Sequence, residues 1–385
     1  MARAGLDWIA TLALALLSAW VIAVELPRVY PEHGLWDFGS FVASARAARE
    51  GLSPYGIYPL TLHVSFPGFE SWNPNLNPPI SALLFRAFDV ADPWLAFRIW
   101  QGISAALYAV AVALLLRRYA GRSWPALALW AFALAGFWDT LFLGQIYIPL
   151  VLAAVGAWLL LERGRAVWAG ILIGLLVSMK PNFLVWPALL FLAGYYRPAL
   201  VAGGTVAVIS AIPLVVFGPE VYGEWFKLIA SDRDRAFFLT NASFAGLAAR
   251  AGVPALGLAL GVALLLGLAA WAFWRKPDPM RASAFALLAS LLASPLGWIQ
   301  YTLFLLPVLI SRWDRPVMRV VGALLIVPVP FIIAQFEKPA WAHLTIGSIY
   351  GWALVLCLVA VIAEEVRAAR GSVPRPLRTV AQGRV

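Results

Sequence analysis

Long runs of apolar residues, separated by short polar turns rich in arginine, repeat along the whole chain. The runs are continuous rather than alternating, which predicts helices and argues against a β-barrel. A helix needs about 20 apolar residues to cross a hydrocarbon core of about 30 Å. Twelve spans are predicted, at 8–26, 95–116, 123–141, 145–161, 166–180, 182–196, 198–217, 254–274, 282–294, 297–311, 316–335 and 346–366, with ten as the alternative count. Several are short: the step from Arg165 to Lys180 gives about 22 Å of helix at 1.5 Å per residue. The short spans meet in pairs at Lys180-Pro181 and at Ser294-Pro295-Leu296-Gly297. Irregular backbone at that depth is tolerated only under protein or beside a wet cavity. An outward-facing cavity is therefore expected, floored by Lys180 and the turn near Trp298 and roofed by the loop 27–94.

Composition supports this reading. The chain has 385 residues, of which 62% are hydrophobic and 12% charged, and its mean hydropathy of +0.83 excludes an ordinary soluble domain. The net charge of +10 suggests nucleic acid at first sight, but its distribution points elsewhere. With the N-terminus inside, 18 of the 29 basic residues fall in cytoplasmic turns or at the two ends, among them Arg117, Arg118, Arg163, Arg165, Arg275, Lys276, Arg312 and Arg315. That is the positive-inside pattern, with both termini cytoplasmic and no nucleic-acid partner. The first run is longer than a signal-peptide core, and Pro27-Arg28-Val29 offers no small-residue cleavage site, so a retained helix is expected. The lone Cys357 excludes a disulfide framework. His33, His63 and His343 are scattered without metal-ligand spacing, so neither a metal nor a cofactor is called for.

The chain reads as one integral membrane domain, 1–385, all-α, with outer loops at 27–94 and 218–253 and a basic cytoplasmic tail at 367–385. In the first loop, Phe38, Phe41, Val42 and Ala45 share a face that Arg46, Arg49 and Glu50 avoid, and Gly51 and Pro54 follow. This predicts an amphipathic helix lying flat in the membrane interface.

Asp37 opens that helix, either as its N-cap or as a general base at the mouth of the cavity. Lys180 either snorkels to the headgroups or pairs with a phosphate, for which a compact ammonium suits. A lysine at membrane depth costs roughly 2.5–3.5 kcal/mol on insertion scales, so it usually faces protein or water. Asp139 and Gly144-Gln145 form another polar turn on the same side; Gln145 is an interfacial cap or a ligand for a sugar hydroxyl. Arg233 and Arg235 belong to a self-paired Asp-Arg-Asp-Arg face or contact a phosphate. Asn241 and Ser243 offer further polar material. Trp298 and Tyr301 fit an aromatic belt, whereas Gln300 in a short span needs a polar partner. Asn75, Asn77, Pro78 and Pro79 shape the end of the first loop.

Taken together, Asp37-Phe38, Gly51-Leu52-Ser53-Pro54-Tyr55, Asn77-Pro78-Pro79, Gly144-Gln145, Lys180-Pro181, Asn241-Ala242-Ser243 and Ser294-Pro295-Leu296-Gly297-Trp298 resemble, in order and placement, the bacterial GT-C glycosyltransferases of family 87. The resemblance runs over about 30–350. It implies a polytopic GT-C fold of about 12 transmembrane helices in the bacterial inner membrane, with a structured first extracytoplasmic loop. It also implies a sugar donor on a polyprenyl monophosphate, with mannose foremost, and a glycolipid or glycan acceptor. Transfer would be inverting and extracytoplasmic, with Asp37 as catalytic base. Lys180, Arg233 and Arg235 would serve the donor phosphate; Tyr55, Asn77, Gln145, Asn241, Trp298, Gln300 and Tyr301 would line the substrate. Two departures stand out. Gln300 occupies a region where family members often carry histidine, and Ile146-Tyr147 follows Gly144-Gln145 in place of a small polar residue.

The main rival is a lipid or sugar transporter or flippase, which also uses broken helices and midplane polar sites. Clustering of the polar turns on one side weighs against alternating access. An O-antigen ligase or polymerase would carry more outer-loop arginine and histidine, and a structural membrane subunit remains the plainest option.

Overall fold

The computed structural model describes residues 2–29, 34–66, 69–231 and 234–371. It is helical almost throughout. After α1 (Ala2–Val29), the first connecting segment holds α2 (Trp36–Arg49), the antiparallel hairpin of β1 (Leu62–Phe66) and β2 (Phe69–Asn73), and α3 (Ile80–Leu84). Then come α4 (Pro93–Tyr119), α5 (Trp124–Ala133), α6 (Ala135–Leu143), α7 (Tyr147–Glu162), α8 (Ala166–Met179), α9 (Val185–Leu192) and α10 (Tyr196–Phe217). The second connecting segment contributes α11 (Glu220–Ser231) and α12 (Phe244–Arg250). The remainder is α13 (Pro254–Arg275), α14 (Pro279–Leu292), a 3-10 run at Ile299–Leu305 leading into α15 (Leu306–Ile310), α16 (Pro316–Leu325), α17 (Val329–Ile333), α18 (Ala340–Leu344) and α19 (Ile349–Gly371).

Local sequence explains several boundaries. Asp92 accepts hydrogen bonds from the amides of Trp94 and Leu95, and Pro93 takes the first helical position of α4. Asp278 and Pro279 start α14 in the same way. Leu134 adopts φ −57°, ψ 128°, which breaks the backbone ladder and bends α5 against α6 by 45°. Pro328, extended at ψ 140°, separates α16 from α17, where the axes turn by 74°.

Among the described residues, five helices are long and apolar enough to cross a membrane, or seven if each bent pair is one span. Five further apolar helices, including Tyr147–Glu162, Ala166–Met179 and Pro279–Leu292, are shorter. Long and short helices occupy different places. The long α10 and α13 stand at the rim and turn Val208, Val215, Leu258 and Leu266 outward, as lipid-facing helices do. The short α14 is buried from Ala282 to Leu292 and packs on α7, α9, α13 and α19. A helix sheathed by protein on all sides has no need to span the bilayer by itself.

Between apolar helices in lipid, association rests on close packing rather than on water exclusion, and small residues permit it. Gly170 and Gly174 do this on α8: a Cβ on Gly170 would lie 2.6 Å from the Pro198 carbonyl, and one on Gly174 2.5 Å from Thr205 Cβ of α10.

Two features depart from the sequence-based expectations. Helix α2 is more enclosed than an interfacial helix: Asp37 to Ala45, Ala47 and Ala48 are buried, and its charged side chains reach solvent only at the C-terminal end, at Arg46 and Arg49. The hairpin is a small β element within an otherwise helical chain, in register from Leu62 opposite Asn73 to Phe66 opposite Phe69. Ser40 of α2 accepts from the Leu62 amide at 3.0 Å, and Phe66 stacks on Phe336 at 5.5 Å. The two connecting segments are also joined. Ser53 donates to Glu224 at 2.6 Å, and the Trp225 indole donates to the Leu76 carbonyl at 3.0 Å.

Candidate active site

Asp37 sits in the first turn of α2 but does not cap it. Leu35 holds the cap position without a side-chain bond. The carboxylate instead accepts from two distant amides: Asn73 of β2 donates to Oδ1, and Gln145 donates to Oδ2 at 2.6 Å. The neighbouring Trp36 takes φ +48°, a conformation that costs a bulky residue on the order of 1–3 kcal/mol and clusters at functional sites. Its ring packs 4.8 Å from Phe142 at the end of α6.

Gly144 brings Gln145 to Asp37. It ends α6 in the left-handed region at φ +66°, and a Cβ there would lie 2.6 Å from both Phe38 Cβ and Phe97 Cε2. Only glycine meets both demands. Its carbonyl is fixed by the Trp100 indole at 3.0 Å. The start of α2 therefore rests directly on the α6–α7 turn.

A polar chain extends beyond Asn73. Arg235 donates to the Asn73 carbonyl oxygen, to Ser71 Oγ at 3.2 Å and to the Trp72 carbonyl at 2.7 Å. Arg235 thus clamps the hairpin and, through Asn73, steadies Asp37. Asp37 is 5% exposed. Burial pushes its carboxyl up to about 6, opposed by the Gln145 hydrogen bond, the charges of Arg235 and Lys180, and the Asn73 hydrogen bond. Such a group is ionised at neutral pH yet basic enough to take a proton. Two accepted hydrogen bonds leave lone pairs for an incoming hydroxyl.

Lys180 ends α8 and is 9% exposed, so it does not snorkel. Its ammonium donates to Asn77 Oδ1 at 2.7 Å and to the Tyr147 hydroxyl at 3.2 Å, and lies 4.3 Å from the Tyr147 ring centre and 5.5 Å from that of Tyr301. These partners are neutral. Among the described residues Lys180 makes no ion pair. A buried ammonium without a carboxylate in contact is suited to an anionic ligand.

Asn77 is placed by Asn75, whose Oδ1 accepts from both the backbone and side-chain nitrogens of Asn77, at 3.0 and 2.9 Å. Asn75 in turn donates to Ser44 of α2 at 3.1 Å and to Ser81 at 2.8 Å. One relay of short polar side chains thus ties the lysine to the helix that carries Asp37.

The other expected site residues fall differently. Arg233 lies outside the described residues. Tyr55 donates to the Asn77 carbonyl at 3.1 Å and packs with Val221 and Trp225, which commits it to joining the connecting segments. Asn241 is fully buried and spends its side chain on backbone groups of Ala236, Pro295, Ser243 and Gly297. Trp298 forms a bridge with Asn241 and packs against Phe238. Tyr301 meets Tyr147 edge-on at 4.7 Å. Gln300 does not reach Asp37; it donates to Asp139 Oδ2 at 2.6 Å.

Asn73, Tyr147 and Arg250 received no role from the sequence. For Asn73 part of the signal was present: Leu-His-Val-Ser-Phe at 62–66, the strand paired with its own, alternates, and the structure half-buries Leu62, Val64 and Phe66 while exposing His63 and Ser65. Arg250 donates to the carbonyls of Phe238 and Asn241 at 2.9 and 2.8 Å and to Ser348 at 2.6 Å, holding the second connecting segment together. A groove of about 820 Å³ opens between α1, α4, α5 and α6, lined by residues such as Leu26, Ala105, Phe132 and Trp138, but neither Asp37 nor Lys180 borders it.

The geometry therefore sets a buried carboxylate on α2 and a buried ammonium tied by a polar relay to the same helix, in a membrane protein. Residues 75–295, more than half of the chain, match the model of glycosyltransferase family 87. The chain belongs to that family and is a membrane glycosyltransferase. It is 27% identical over 322 residues, 75% of each chain, to a polyprenol-phosphate-mannose-dependent alpha-(1-2)-phosphatidylinositol pentamannoside mannosyltransferase of Mycolicibacterium smegmatis. It is also 27% identical over 371 residues, 83% of each chain, to the protein of the same description in Mycobacterium tuberculosis. No solved structure matches. Membership in a transferase family does not favour the transporter reading. The matched segment holds Asn77, Gln145, Lys180, Arg235 and Asn241, with Asp37 and Gln300 to either side.

Proposed function

We propose that this enzyme moves a sugar, mannose foremost, from a polyprenyl monophosphate to a glycolipid or glycan acceptor of the cell envelope, with inversion, at the extracytoplasmic face. The observation that carries the reading is the joint burial of Asp37 on α2 and of Lys180, which Asn77 and Asn75 tie to Ser44 of the same helix. The names of the two mycobacterial relatives support the choice of donor.

In the proposed step an acceptor hydroxyl oxygen bonds to the anomeric carbon as the bond from that carbon to the phosphate oxygen breaks. The hydroxyl proton passes to Asp37, and the bonding pair leaves with the lipid phosphate. Lys180 stabilises the growing negative charge on that phosphate, where a preplaced cation acts most strongly. Arg235 orients the base through Asn73 and adds positive potential.

The proposed topology has twelve passes, five of them short and internal, with both termini cytoplasmic. The arginine-rich turns support this orientation.

Purified protein, incubated with short-chain polyprenyl phosphates bearing mannose, arabinofuranose or glucose and a membrane glycolipid extract, tests the reading. Transfer that depends on the donor and is lost in Asp37→Asn is the expected result. Failure of every donor, or full activity of Asp37→Asn, sinks it.

A further inference from the structure

Gln145 and Gln300 share an arrangement that no step above uses. Each donates its amide to a buried carboxylate, Gln145 to Asp37 and Gln300 to Asp139, both at 2.6 Å. A carboxylate accepts and cannot donate, so it dictates which end of the glutamine turns toward it. The two carbonyl oxygens then point away, and both are buried without a hydrogen-bond partner among the described residues. Gln300 is 4% exposed and Asp139 5%.

The position of Gln300 is also fixed. Gly136 of α6 packs against the carbonyl of Ile299, where an added Cβ would lie 2.7 Å away, so the 3-10 run rests on α6 one turn before Asp139. From Asp139 to Gly144, whose neighbour Gln145 contacts Asp37, is about 7–8 Å along a helix. On the other side, Tyr301 touches Tyr147, which accepts from Lys180. Gln300 is thus the chain neighbour of Tyr301, which touches the Lys180 partner Tyr147, and its own partner Asp139 lies on the helix that leads into the Gly144-Gln145 turn against Asp37.

We propose that Asp139 is a positioning residue: it locks Gln300 so that the glutamine carbonyl accepts a hydrogen bond from a hydroxyl of the donor sugar. This rests on the glycosyl-transfer reading above. Gln145, locked by Asp37, offers a second acceptor of the same kind. A pair of fixed acceptors selects sugars by where their hydroxyl donors lie, and a site with buried polar groups discriminates strongly against a substrate lacking the matching hydroxyl.

The test uses the full-length enzyme with a polyprenyl-phosphate mannose donor and a series of donors each lacking one hydroxyl. Wild-type turnover of the complete donor is the control; its failure sinks the transfer reading and not the assignment of Asp139. Gln300→Met, which keeps the length and removes the acceptor, should lower kcat/KM for the complete donor by about 10–100-fold. For one particular deoxy donor it should match wild type. Asp139→Asn, which fits the space but no longer fixes the amide, should lose discrimination at that same hydroxyl. Asp139→Glu should partly restore it.

Donor affinity measured in the Asp37→Asn background reads the same selectivity without turnover, and thermal melting identifies variants that fail to fold. Uniform loss across all deoxy donors in Gln300→Met, or unchanged discrimination in a folded Asp139→Asn protein, overturns the proposal.

Discussion

Gln145 donates to Asp37 at 2.6 Å across 108 residues of sequence, and the contact exists because Gly144 between them carries no side chain. The base, its orienting amide and the tight turn form one unit, so a change in any of them is felt by the others.

Replacing the base tests the centre of the site. Asp37→Asn keeps the shape and should lower kcat by about 10²–10⁴-fold, the usual share of general-base catalysis. Melting temperature and donor binding should stay close to wild type. Sugar release from labelled donor in the purified variant decides the matter.

The pH profile follows from burial. Because the Asp37 carboxyl is raised to about 6, transfer should fall with a single-proton slope as pH drops below that value, where the base becomes protonated. Gln145 favours the ionised form by donating to it, so Gln145→Met should raise the pKa further and move the acid limb to higher pH. A limb that stays put, or moves down, contradicts the assignment.

Lys180→Met removes a cation held by neutral partners. Hydrogen bonds to charged groups contribute about 1.5–3 kcal/mol, which corresponds to about 10–100-fold in donor KM or kcat/KM. Arginine should not restore it, since a planar fork does not fit between Asn77 and the Tyr147 ring. Titration with donor at fixed acceptor gives the answer.

Gly144→Ala combines a left-handed backbone with contacts at 2.6 Å to Phe38 and Phe97. A loss of about 1–3 kcal/mol in stability is expected, together with lower transfer as Gln145 shifts from Asp37. Circular-dichroism melts in detergent, paired with activity, separate the two effects.

The helices were legible in the sequence because uninterrupted apolar runs have few other fates. The predicted 166–180 became Ala166–Met179 and 198–217 became Tyr196–Phe217. Asp37, Lys180 and Gln145 stood out as polar residues where polarity is costly. Their partners were harder to find. Asn73 lies on a hairpin whose alternation covers only five residues per strand, and Asn77 looked like a loop-shaping residue although it holds the Lys180 ammonium. Helix α2 misled for a related reason: its arginines do reach solvent, but only at its C-terminal end, where Arg46 and Arg49 both pair with Asp89, each at 2.9 Å, while Asp37 to Ala45 are buried. Pairing of that kind depends on tertiary contacts that no local pattern contains.

Asn241 grips four backbone groups, on Ala236, Ser243, Pro295 and Gly297, with a single amide. Four bonds from one side chain would have to break together before residues 236–243 could part from the Ser294–Gly297 turn, so a change at this single amide loosens both stretches at once.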